Sequence, residues 1–132
     1  MIAVVEPAID GNTTIELAQT VVDRGGRATV VVLMSRTTTA AIEAFADAED
    51  LHFADAREMY IERLAAAYSA RFGGQLTVTI VTDRTDANHV VFEAAARDSA
   101  TSVVMPQRLV NRRNWKSAVA RSQIPVLLAP AA

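Results

Sequence analysis

The sequence predicts an α/β fold: one doubly wound, five-stranded parallel sheet with helices on both faces, in a Rossmann-like arrangement. Three observations carry this. Short β-prone runs alternate with helix-length segments from end to end. Strands that alternate with helices pair in parallel, because right-handed crossovers lay the helices against both sheet faces. No Pro/Gly/Ser-rich stretch interrupts the alternation, so residues 1–132 are read as one domain.

The first strand is Ile2-Ala3-Val4-Val5, and Asp10-Gly11-Asn12-Thr13 offers turn and N-cap chemistry before a helix that places Ile15, Ala18 and Val22 on one face. Gly25-Gly26 supplies the positive-φ residue that ends such a helix. Ala28 to Met34 follows as a buried strand. Arg36 to about Leu51, with three successive threonines and then alanines among acids, reads as a loop with a short helix. The longest helix is expected over Asp55 to Phe72, with Met59, Leu64, Ala67 and Tyr68 or Arg71 at helical spacing and Gly73-Gly74 as its stop. Gln75 to Val81 carries threonines at alternate positions, which suits a strand with one less buried face at a sheet edge, and Asp83 and Asp86 are candidate caps. A helix over Asn88–Ala100 with Val91, Ala94, Ala95 and Asp98 on one stripe leads to a strand over Ser102–Met105. A brief helix over Asn114–Ser122 and a fifth strand from Ile124 complete the order.

Composition narrows the function. At 51% hydrophobic and 21% charged, the chain has the balance of a globular protein. Thirteen basic against fifteen acidic residues leave a net charge of −2, so no whole-protein field gathers nucleic acid or an anionic membrane. There is no cysteine, which excludes disulfides, thiolate metal sites and a cysteine nucleophile, and agrees with a reducing, cytoplasmic setting. The run Ile2–Val5 stops at Glu6-Pro7 without preceding basic residues, so it is read as a strand and not as a signal peptide or membrane span.

Four stretches resemble the universal stress protein family: Ile2–Glu6, the helix up to Gly25-Gly26, Ala28–Met34, and above all Thr101-Ser-Val-Val-Met105 with Ser122-Gln-Ile-Pro-Val-Leu-Leu128. In that family the fourth strand ends in a hydrophobic pair and methionine, and the last opens on Pro-Val-Leu. The resemblance implies the sheet order 3-2-1-4-5, a regulatory or binding module in place of an enzyme, and a homodimer built on the last strand.

Family members that bind ATP carry an aspartate closing strand one and a Gly-x2-Gly-x9-Gly-Ser/Thr loop after strand four. Glycines let backbone approach phosphate, and N–H groups at the following helix start face the anion. Laid from the residue after Met105, that motif falls on Pro106, Leu109, Val119 and Ala120. All five glycines, Gly11, Gly25, Gly26, Gly73 and Gly74, lie before it, so the loop is absent in every frame. Glu6 stands at the aspartate position with one more methylene. No cofactor is therefore expected, and ATP, if bound, is not held in the family manner.

The strongest local departure is the basic segment 107–116, with Arg108, Arg112, Arg113, Lys116 and the only tryptophan, Trp115. It follows strand four, where open parallel sheets hold their ligands, and Glu6 should share that crevice. An anion- or nucleotide-binding switch built on Glu6, Arg108, Arg112, Arg113 and Lys116 is one reading. The other is a basic turn paired with acidic neighbours, with Trp115 packed on the sheet. His89 and Glu93 sit at i, i+4, which serves a local surface hydrogen bond better than a metal, and the serines Ser99, Ser102, Ser117 and Ser122 lack nucleophile-elbow glycines. No metal ligand set and no catalytic residue are assigned. A degenerate phospho-receiver domain shares the size and order, and Asp83 would close its third strand. It needs an acidic pair after strand one and a lysine after strand five, and neither is present.

The last strand, Ile124 to Ala129, carries the expected dimer contact through Ile124, Val126, Leu127 and Leu128. No charged residue follows Arg121, so nothing blocks an open edge, and a closed two-fold pairing is the remaining way to satisfy it.

Overall fold

The computed structural model describes residues 1–6, 13–72, 76–82 and 87–130. The elements run β1 (Ile2–Val5), α1 (Thr13–Asp23), β2 (Ala28–Met34), α2 (Arg36–Ala48), α3 (Phe53–Phe72), β3 (Leu76–Thr82), α4 (Ala87–Arg97), β4 (Val103–Pro106), a 3-10 turn (Gln107–Asn111), α5 (Arg113–Arg121) and β5 (Val126–Ala129). The strands form one parallel sheet in the order β3-β2-β1-β4-β5, with Ala3 opposite both Val30 and Val104. The α/β class with a parallel, helix-covered sheet is as the alternation predicts. No helix among the described residues is long and apolar enough to cross a membrane.

Strand geometry divides the core. Successive side chains of a strand point to opposite faces, so Ala3, Val5, Val30, Val32, Met34 and Val104 lie on one face, beneath α1, α2 and α3. Ile2, Val4, Val31, Leu33, Val103 and Met105 lie on the other, beneath α4, the 3-10 turn and α5. Both faces are covered, which is why β1, β2 and β4 read as near-continuous apolar runs.

Several local expectations are corrected. The segment from Arg36, read as a loop with a short helix, is instead a 13-residue helix, N-capped by Ser35, whose Oγ accepts from the Thr38 backbone N–H at 3.3 Å. Its buried stripe is Thr38, Ile42 and Ala46; threonines there made the pattern look polar. It ends at Asp50, whose φ of 53° is the left-handed turn that asparagine and aspartate tolerate. The inward stripe of α3 is Ala56, Tyr60, Leu64 and Tyr68, a strict i+4 series, while Ala67 is exposed. On α4 Asp98 lies past the helix end and Asn88 takes the buried place instead. The last strand starts at Val126, leaving Ile124 before it. Gly25, with φ of 85°, ends α1 as expected. The proposed cap at 10–12, the stop at Gly73-Gly74 and the caps at Asp83 and Asp86 lie outside the described residues.

Trp115 is the largest fully buried side chain, so Trp115→Ala should cost about 3–5 kcal/mol of stability, read from the urea midpoint. Ser35→Ala should cost about 1 kcal/mol, the usual loss for a removed helix cap. A tryptophan variant within about 0.5 kcal/mol of the parent would contradict the packing described.

Candidate functional site

All five strands point the same way, so the residues after β1 and after β4 emerge at one end of the sheet, next to each other. Glu6 immediately follows the fully buried β1 and is itself fully buried. A carboxylate taken from water needs a compensating charge. Two arginines provide it. Nη2 of Arg108 lies 3.0 Å from Glu6 Oε1, and Nη2 of Arg112 lies 3.6 Å from the same oxygen.

The local sequence places both. Pro106 ends β4 and opens the 3-10 turn with an extended backbone. Within that turn Leu109 is buried in the core cluster under α4 and α5, which anchors the turn between the two arginines. Arg112 closes the turn and at the same time opens α5, where Trp115 and Ala118 turn inward. Asn88 at the start of α4 donates from Nδ2 to the Asn114 carbonyl at 3.3 Å, tying the two helix starts together.

Thus Glu6, Arg108 and Arg112, expected to share a crevice, are brought together as an ion cluster. Arg113 and Lys116 are exposed at the beginning of α5, and neither bonds to Glu6. Of the residues expected at the dimer contact, Val126, Leu127 and Leu128 lie on β5, whose sole described neighbour is β4. Leu127 and Leu128 are 45% and 40% exposed. Ile124 instead packs half-buried against the core under α4 and α5, held in a tight turn in which Ser122 Oγ donates to the Ile124 carbonyl and accepts from its N–H. Which two of the four cations meet Glu6 was not visible in the sequence.

The sequence matches no protein-family model, and no curated protein is significantly similar to it. Solved structures are similar. A protein of the universal stress protein family from Burkholderia pseudomallei superimposes over 98% of this chain and 94% of its own, with a TM-score of 0.60 and 16% identity. The likeness is one of fold. It is shared by the hypothetical protein MJ0577, with a TM-score of 0.57, 11% identity and coverage of 99% and 94%. Hypothetical protein PH0823 follows, with a TM-score of 0.51, 10% identity and coverage of 98% and 95%. The resemblance read from the strand ends therefore has its counterpart in the universal stress protein-like fold.

The charges of the cluster are unequally solvated, since Glu6 is fully buried while the side chains of Arg108 and Arg112 are 32% and 41% exposed. Removing both arginines strands a buried carboxylate, so Arg108→Met with Arg112→Met should cost about 3–5 kcal/mol. Glu6→Gln leaves two cations that water can reach and should cost clearly less. Urea midpoints that rank these two variants the other way would contradict the cluster as described.

Proposed function

We propose that the chain is a universal stress protein-like, dimeric regulatory or binding module of the cytoplasm that does not bind ATP in the family manner and is not an enzyme. The observation that carries this is the Glu6 ion cluster, placed where the fold would present a phosphate loop. No glycine lies beyond position 74 to form that loop, and the nearest cations, Arg108 and Arg112, are already engaged by Glu6. Calorimetric titration with ATP and magnesium is expected to give no saturable heat up to millimolar nucleotide. Micromolar binding with turnover would overturn the reading.

The dimer proposal rests on β5. Its edge is apolar and open, and Pro125 and Pro130 limit how far pairing can extend. Pairing two copies of this strand about a two-fold axis satisfies the edge in a closed contact. Leu127→Lys should shift the protein toward monomer in sedimentation, because the new charge would meet its own copy or apolar neighbours. Sedimentation of the parent protein as a monomer at about 100 μM would count decisively against this contact.

A second reading is favoured by the same ion cluster. An inorganic anion or a nucleotide phosphate could compete with the Glu6 carboxylate for Arg108 and Arg112, with Arg113 and Lys116 adding charge nearby, and so act as a switch. Pyrophosphate titrated into the parent and into Glu6→Gln separates the two. Under the switch reading the variant binds more tightly; under the first reading neither binds.

A further inference from the structure

Between α4 and α5, lined by none of the residues of the Glu6 cluster, lies a groove of about 460 Å³, within the ordinary range for small-molecule sites. His89, Phe92 and Ala96 line it from α4, at a spacing that keeps all three on one side of the helix. Ala118 and Arg121 of α5, with Ile124 beyond it, form the opposite wall. The groove exists because small residues, Ala96 and Ala118, stand where larger ones would close the space between the helices.

The lining is chemically one-sided. Phe92, Ile124 and the two alanines provide an apolar body, and no acidic residue lines the groove. Its polar lining consists of Arg121, His89, Ser122 and Gln123, of which Arg121 is the one cation with a fixed charge. Arg121 lies in the last turn of α5 and is exposed, and its side chain has no ion-pair or hydrogen-bond partner among the described residues. Ser122 contributes little, because its hydroxyl is already engaged with Ile124.

We propose that this groove is a binding site for a small aromatic carboxylate. The ring would lie between Phe92 and Ile124, where aromatic and aliphatic surface gains from burial. The carboxylate would meet Arg121, whose planar fork matches it in a bidentate pair, with the His89 ring N–H as a further donor. The site uses none of the residues of the Glu6 cluster and does not depend on how that cluster functions. Ile124 also belongs to the segment leading into β5, so the site is tested with and without the strand-edge contact.

The test uses 2-naphthoate as the probe, titrated into the full chain and followed by amide and methyl chemical shifts. Saturable shifts are expected at Phe92, Ala96, Ala118 and Arg121. Arg121→Gln should weaken 2-naphthoate at least about tenfold, the loss typical of a charge-assisted pair, while leaving the neutral analogue 2-naphthalenemethanol nearly unaffected. Ala96→Leu, at an exposed position that does not threaten folding, should fill the groove and abolish binding of both. The Leu127→Lys protein should bind as the parent does. The proposal is overturned by shifts confined to other surfaces, by equal affinity in Arg121→Gln, by undiminished binding in Ala96→Leu, or by binding that requires an intact β5 edge.

Discussion

The buried carboxylate of Glu6 is the constraint around which one half of the molecule is arranged. It terminates a central strand whose every residue is buried, so it can turn neither to solvent nor to a neighbouring strand. Its charge has to be met from the next segment that arrives at the same end of the sheet, which is the turn after β4. That turn must then hold Arg108 and Arg112 at fixed positions, and burial of Leu109 between them does so. The helix that follows inherits its starting point from Arg112. At nine residues and without a side-chain N-cap, α5 is too short to persist by itself, and its place depends on Trp115 and Ala118 packing beneath it.

Legibility in the sequence followed how much of each element's pattern was set by burial on two faces. β1, β2 and β4 were plain because both of their faces are covered. The full length of α2 was not read, because its buried stripe runs through Thr38, a polar residue whose hydroxyl lies 3.3 Å from Ser35 Oγ. The inner face of α3 was half legible, with Leu64 and Tyr68 read and Ala56 and Tyr60 not, because the helix is amphipathic only weakly; Ala56 is the one fully buried residue among those of the helix whose burial is described, and the rest of the stripe is half-covered. That Glu6 and the basic turn meet followed from topology alone. Which cations engage it did not, since four stand within nine residues and only three-dimensional placement separates Arg108 and Arg112 from Arg113 and Lys116.

The same placement sets how an anion could act here. A glycine loop offers backbone N–H groups with no internal competitor. An arginine pair already holding a carboxylate offers its charge only if that carboxylate is left uncompensated, which costs several kcal/mol in a buried site. Any ligand at this crevice that takes up the arginines therefore works against the fold unless the turn moves. A site of this kind favours structural fixation over tight binding, and it would respond to ligands through rearrangement of the turn.

Movement of that turn has one rigid outlet. α5 begins at the residue after Arg112 and ends at Arg121, so a single nine-residue helix, about 13 Å long, joins the ion cluster to the groove against α4. Its first turn is pinned by the fully buried Trp115, and close-packed interiors resist translation of so large a ring. The ion cluster and the groove thus lie along one short helix and share no residue.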